Sequence, residues 1–456
     1  MPIPRTLWTA WRPKLGRVLL GAALALALLA GPGHPTWAEG ADADAGGVSS
    51  TAERLYAAAK PKLLQIRTLV AAAGRQSSLG SGFLVSADGL AITNYHVVSQ
   101  VALEPDTYRL EYAAADGSRG EVKLIAIDLP DDLALVRIDK PGGTPFTFAD
   151  PAVPLPKGER LYAMGNPLDL GFTIVEGTYN GLVERSYTER IHFTGAINPG
   201  MSGGPAVTSD GRVAGINVAK QLGGELVSFL VPARFAAALL ERAAGTQPPA
   251  PKEFRAEIGR QLLAWQTQLY RSLADQGFKT TAFGPYDAPE SAAPWFTCWA
   301  STNAGQVPKP RATIDATNCN SDTRLFVASD LNTGLIHLAH SYVRTLDLNA
   351  FQFAAFLTQQ SQPQLLGGFA RKWFTRQRCH EDFLTAGTAG EHPALRAVWC
   401  ARGYRGFPGV YDVSVTAITE DRGEEALVSR LSLQAVGYEN AMDIGKRFLE
   451  DLRWRK

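Results

Sequence analysis

Three short stretches carry residue types that, if brought together, could open an amide bond through a covalent ester. "INPGMSGGPAV", Ile197–Val207, sets Ser202 among three glycines and two prolines. Glycine reaches positive φ and proline fixes φ near −65°, so a tight turn is the plain reading. The same turn can also hold a hydroxyl at a surface with backbone N–H groups converging beside it. A serine hydroxyl attacks a carbonyl only when a base takes its proton and a third group orients that base. "AITNYHVVSQ" places His96 at the end of an apolar strand, and "LPDDLALVRID" places Asp131 and Asp132 just before a run of buried-strand character. A carboxylate there needs a hydrogen-bond partner. Taken singly, such a histidine more often packs and such an acidic pair more often is a solvated strand entry. Only a fold that gathers all three makes them chemistry.

The elements that would do so are short apolar strands broken by turn signals across residues 50–244: "KLLQIRTLV", "SGFLVSADGLAITNYHVV", "YRLEYAAADGSRGEVKLIAID", "LALVRID", "RLYAMGNP", "RVAGINVAK" and "VSFLVPA". Frequent short strands joined by Asp-Gly and similar turns predict an all-β sandwich or barrel pair. A helix, "ARFAAALLERAAG", closes this segment. The proline-rich "TQPPAPKE" marks a linker over 245–253, and helical apolar spacing ending in glycine predicts a connecting helix over 254–279.

Of the 456 residues, 45% are apolar and 20% charged, ordinary for a soluble globular protein of two or three domains. The N-terminus differs, with Arg5, Arg12, Lys14 and Arg17 and no acid before an apolar run from Val18 to Ala30. That run is shorter than the roughly 20 residues of a membrane span and ends near a small-residue site at Ala38. Residues 1–38 are read as a secretory signal and 39–49 as a flexible N-terminus. Its removal leaves 41 Lys and Arg against 44 Asp and Glu, a net charge near −3. This offers no electrostatic case for nucleic acid or for an anionic membrane surface.

Export also favours disulfides among Cys298, Cys319, Cys379 and Cys400. The first two are 21 positions apart, as are the last two, and each pair follows a Trp-Phe: Trp295-Phe296 and Trp373-Phe374. Strand-like runs and a helix-like segment follow each pair. The expectation is an α+β domain over 280–456, with repeats near 295–362 and 373–454, stapled as Cys298–Cys319 and Cys379–Cys400.

In order along residues 50–240, "GSGFLVSADGLAITNYHVV", "DLALVRI", "MGNPLDLGFTIVEGTYNGLVER", "AINPGMSGGPAVTSDGRVAGINVA" and "VSFLVPA" resemble the signatures of the HtrA/Deg family of trypsin-like serine proteases. The resemblance implies a mainly β, chymotrypsin-like double six-stranded barrel. It implies His96 as general base, Asp132 as its orienting partner and Ser202 as nucleophile, with the backbone N–H groups of Gly200 and Ser202 facing the oxyanion. Asp131 is set aside because the family's aspartate directly precedes the Leu-Ala of the strand. Met201 stands where the family most often has asparagine, and Thr194 near a usual aspartate. The pocket floor is expected near Ala196, with walls from Phe229 and Val231 and with the Ser228 backbone pairing an extended substrate. Small or medium aliphatic residues before the scissile bond follow from that lining. The family normally carries PDZ domains after the protease, and "LLGGF", Leu365–Phe369, is read instead as a helix end.

A metal site at His337, His340 and "CHE" is set aside, because a strand there sends the two histidines to opposite faces and a disulfide consumes Cys379. No metal or other cofactor is expected. The leading reading is an exported, periplasmic serine endopeptidase acting on unfolded or regulatory envelope proteins, with the C-terminal domain recognising substrates or a protein partner. The resemblance adds a homo-oligomer as an expectation. The alternative is a protease-fold binding or chaperone-like module with a latent site. A third reading makes the C-terminal half the main interaction unit.

Overall fold

Alternating apolar residues between Leu63 and Pro232 close into two barrels in the computed structural model, which describes residues 49–139, 143–218, 226–244, 247–360, 362, 371–385 and 390–455. The signal and N-terminal segment up to residue 48, and Leu365–Phe369, lie outside the described residues. The described residues belong to one compact unit.

The first barrel comprises β1 (Leu63–Val70), β2 (Arg75–Leu84), β3 (Leu90–Asn94), β4 (Tyr108–Ala114), β5 (Arg119–Asp128) and β6 (Leu133–Ile138). They close antiparallel in the order β1-β2-β3-β6-β5-β4. The second comprises β7 (Arg160–Gly165), β8 (Thr173–Leu182), β9 (Ile191–Thr194), β10 (Pro205–Val207), β11 (Val213–Val218) and β12 (Val227–Pro232). Its order is β10-β11-β12-β9-β8-β7. Closure leaves no edge strand, and inward side chains fill each interior. The fold is the chymotrypsin-like pair of six-stranded barrels.

Three helices brace it. In α1 (Ser50–Ala59) the Ser49 hydroxyl caps the start, accepting from the Ala52 N–H at 3.3 Å. In α2 (Tyr95–Leu103), directly after β3, Val97, Val98 and Ala102 are buried, and α3 (Ala233–Ala243) buries Ala236 and Leu239. The long α4 (Phe254–Gln276) follows, stopped by Gly277 at φ 69°. It buries Phe254, Ile258, Leu262, Trp265, Leu269 and Leu273, the stripe that helical periodicity demands.

Beyond it come β13 (Phe278–Phe283), β14 (Tyr286–Ser291), β15 (Phe296–Thr302), β16 (Ala312–Ser321), β17 (Leu325–Ala328), β18 (Leu331–Thr333), β19 (Ile336–Thr345), α5 (Ala350–Gln360), β20 (Arg378–Thr385), β21 (Ala394–Gly403), β22 (Tyr411–Thr419), β23 (Glu425–Val436), α6 (Tyr438–Glu450) and β24 (Arg453–Trp454). One seven-stranded antiparallel sheet, β15-β16-β19-β23-β22-β21-β20, carries most of this region. Cys298–Cys319 joins β15 to β16 and Cys379–Cys400 joins β20 to β21, so each edge of the sheet is stapled to its neighbour. A crosslink closing a loop of this size contributes about 3 kcal/mol.

Two strand-like runs of this region take different places. "YDVSVTAIT" is β22 inside the main sheet, whereas its counterpart "RLFVASD" leaves the sheet as β17 and pairs only with β18. One apolar core runs through both regions, from Leu64, Tyr95 and Val97 of the first barrel and α2, through Ile258 and Trp265 of α4, to Leu338 and Leu431 of the sheet.

Candidate active site

Strand β3 delivers His96 to the first turn of α2, and the bend before β6 delivers Asp132. The Asp132 carboxylate grips His96 twice: Oδ2 lies 2.7 Å from the ring Nδ1, and Oδ1 accepts the His96 backbone N–H at 2.9 Å. The Asp132 carbonyl in turn accepts from the Tyr95 N–H at 3.0 Å and the Asn94 Nδ2 at 2.8 Å. Asp132 sits at φ 56°, a left-handed conformation uncommon outside glycine and paid for by these four bonds. Burial works against a charged imidazole, but the Asp132 charge and hydrogen bond together outweigh it, so His96 titrates above its ordinary value. The ring thereby presents Nε2 away from Asp132, the arrangement a general base requires.

Ser202 is buried in the turn between β9 and β10, and that turn is clasped to the first barrel. The Ser202 carbonyl accepts from the Ser81 N–H at 2.7 Å, and the Ser81 hydroxyl donates to the Gly200 carbonyl at 2.7 Å. Ser81 Oγ also accepts from the Asn166 N–H at 2.9 Å, while Thr93 Oγ1 donates to the Ser81 carbonyl at 2.7 Å. Asn217 Nδ2 closes the far side on the Met164 carbonyl at 2.8 Å. Sequence reasoning passed over Ser81, Thr93 and Asn217. The signal lay inside "GSGF", "AITN" and "GIN", where small polar residues interrupt buried strands.

Two glycines set the turn. Gly200 has φ 96°, and a Cβ there would stand 2.4 Å from the Asn166 carbonyl. Gly203 has φ 85°, and a Cβ there would stand 2.8 Å from the Asn94 nitrogen, two residues before His96. Absence of side chains thus lets the serine turn lie against the strand that ends at the histidine. Met201, in place of the family's usual asparagine, is fully buried in the second barrel's core, and Thr194 Oγ1 accepts from Asn180 Nδ2 at 2.7 Å.

Asp131 stands apart from this group. Arg190 lies 3.6 Å away, and burial together with the Asp128 charge pushes the Asp131 carboxyl up to about 6, with Arg190 partly opposing.

The expected pocket residues divide. Phe229 lines a cavity of about 540 Å³ together with His96 and Asp132. Val231 does not: it lies two residues on, fully buried in the core cluster that includes Ala236 and Leu239, because α3 packs over that part of β12. Ala196 is exposed. Ser228 is buried and its hydroxyl bridges two segments, donating to the Gly195 carbonyl at 2.7 Å and accepting from the Ile197 N–H at 3.3 Å. Its backbone faces Phe193 of β9.

The histidines set aside earlier lie on β19. His340 is buried, with Nδ1 2.9 Å from Ser429 Oγ and Nε2 2.7 Å from the Pro289 carbonyl, and burial lowers its pKa to about 4. Glu290 lies beside Cys298 and Cys319, whose sulfurs are joined to each other.

Residues 80–216 match the trypsin-like peptidase domain family. Serine protease HTRA1 of Xenopus laevis is 35% identical over 161 residues, 34% of this chain and 33% of that protein. A probable periplasmic serine endoprotease, DegP-like, of Marinomonas sp. is 35% identical over 178 residues, 37% of this chain and 36% of that protein. A crystal structure of the serine endoprotease from Yersinia pestis has 26% identity, covers 43% of this chain and 68% of that one, and gives a TM-score of 0.37. The chain spans about a third of the length of the curated relatives it matches. Residues 80–216 thus match the trypsin-like peptidase domain and are similar to the HtrA/Deg serine proteases.

Proposed function

We propose that the protein is an exported serine endopeptidase that hydrolyses peptide bonds of unfolded or regulatory envelope proteins through an acyl-enzyme. The observation that carries this reading is the double grip of Asp132 on His96, with the Ser202 turn packed against the strand leading to that histidine. Neutral His96 takes the Ser202 proton as Oγ attacks the carbonyl carbon. Asp132 holds the tautomer and stabilises the imidazolium. The N–H groups of Gly200 and Ser202 receive the developing oxyanion, a contribution worth about 10²–10³ in rate per donor. His96 then protonates the leaving amine, and water, activated by the same ring, releases the acid. Neither step calls on a metal or a cofactor.

Export to the periplasm is supported by the basic, then apolar, N-terminus and by the name of the Marinomonas relative. Among the described residues no helix is long and apolar enough to cross a membrane. Phe229 beside His96 supports a preference for aliphatic residues near the scissile bond. The test uses residues 39–456 and the Ser202→Ala variant, each incubated with casein and with a fluorophosphonate probe. The expected result is cleavage and labelling at Ser202 by the native protein and neither by the variant. A native protein that is not labelled and leaves casein intact would overturn the reading in favour of a binding module with a latent site.

A further inference from the structure

The lining of the cavity beside His96 includes residues from beyond the two barrels. Asp322, Arg324, Leu325, Phe326 and Asn332 line it together with Phe229 and Val218. The Phe326 ring meets the His96 ring edge-on, with centroids 6.0 Å apart. Phe326 is partly buried and sits at the centre of the β17–β18 hairpin, the element that leaves the main sheet.

The hairpin is held to its surroundings at several points along its length. The Tyr95 hydroxyl, from the residue before His96, donates to the Val327 carbonyl at 2.8 Å. Trp373 Nε1 donates to Asp330 Oδ1 at 2.8 Å, at the hairpin's tip. Thr333 is hydrogen-bonded to the Tyr404 hydroxyl, which donates to Asp412 Oδ1 at 2.6 Å within a buried network closed by Arg402. Leu325, Val327, Ala328 and Leu331 are all buried. From the other side, the Tyr187 N–H reaches the Asp322 carbonyl at 3.4 Å, and the Tyr187 ring packs edge-on against Trp265 and Trp295. A segment held this firmly is a wall rather than a flap. The space it leaves, about 540 Å³, is within the range of pre-formed ligand sites, and its lining combines the apolar Phe229, Leu325 and Phe326 with the charged Arg190, Asp322 and Arg324.

We propose that the β17–β18 hairpin completes the substrate cleft, with Phe326 forming, together with Phe229, an apolar subsite for a bulky side chain adjoining the cleaved residue. Phe326 is then a specificity-determining residue supplied by the C-terminal domain. The occupant is a peptide side chain because the subsite adjoins the imidazole whose role is to serve the scissile bond. In this respect the inference rests on the proteolytic reading.

The test compares two fluorogenic peptides that differ only by leucine or glycine at the position next to the cleaved residue, using full-length mature protein. The native protein is expected to prefer leucine in kcat/KM by about tenfold or more, the scale on which apolar pockets discriminate. Phe326→Ala is expected to bring the ratio close to one. Phe326→Trp, which fills the space, is expected to turn the ratio toward glycine, and it serves as the second arm if circular dichroism shows the alanine variant unfolded. The same peptides, dye-labelled, are titrated into the Ser202→Ala protein by fluorescence anisotropy, with and without the Phe326 substitutions. If no peptide is cleaved but leucine-selective, Phe326-dependent binding persists, the proteolytic reading fails and the subsite stands. A native protein indifferent to the two side chains in both assays overturns the subsite. So does a Phe326→Ala variant that turns over both peptides faster to the same degree, since the hairpin would then obstruct the cleft.

Discussion

His96 is held between two opposed influences, burial that disfavours its charge and the Asp132 carboxylate that favours it, and the second prevails. Its pKa is therefore raised above 6.5, and the neutral base is lost as pH falls through that raised value. In the pH profile of kcat/KM the acid limb is expected to have its midpoint above 6.5. Asp132→Asn removes the charge and leaves the burial, so the limb moves to lower pH and kcat falls by about 10⁴-fold. A limb that stays in place in the variant would show that another group sets it. Ser81 acts at one remove, positioning the serine turn through its hydroxyl and its N–H while touching none of the reacting atoms.

The connection between β5 and β6 does two jobs with adjacent carboxylates. Asp132 serves the histidine, whereas Asp131 is crowded by burial and by the Asp128 charge, with its own pKa raised to about 6. A raised folded pKa means that the protonated form is favoured by folding. The stabilisation is fully present below 3.8 and is lost as pH rises through about 6. Asp131→Asn is neutral throughout, so urea unfolding is expected to show it more stable than the native protein by roughly 1–2 kcal/mol at pH 8. Below pH 4 the advantage is expected to vanish. Equal or lower stability of the variant at pH 8 would mean that the Arg190 pair at 3.6 Å matters more than the burial.

At the scale of the whole molecule, the peptidase barrels and the C-terminal sheet share one core through α4. Cutting the chain in the proline-rich segment would remove Ile258, Leu262 and Trp265 from the core they share with the first barrel and α2. Residues 39–249 expressed alone are therefore expected to bind the dye ANS strongly and to aggregate, while residues 39–456 unfold in one cooperative transition in the calorimeter. A soluble fragment without dye binding would show that the barrels do not depend on this face. The exposed apolar area of such a cut is costly at about 25 cal/mol per Å².

Much of this was legible along the chain. Period-two apolar runs announced the barrel strands, Gly200 and Gly203 announced a turn no other residue would make cheaply, and Cys298, Cys319, Cys379 and Cys400 announced pairs by equal spacing. These are local signals, because φ preference, alternation and short loops act between near neighbours. The pocket was less legible. Val231 and Phe229 occupy the same face of β12, and only the packing of α3 decides that one is core and the other cavity. Nothing in "RLFVASD" announces that it becomes the hairpin at His96. That placement rests on contacts such as Tyr95 to Val327, 232 positions apart, and on a core spanning both regions. The barrel strands, the glycine turn at Ser202 and the residue types at His96, Asp132 and Ser202 are all written in local patterns of the chain. The tertiary structure alone decided what faces them, because long-range packing sums many weak contacts that leave no pattern between neighbouring residues.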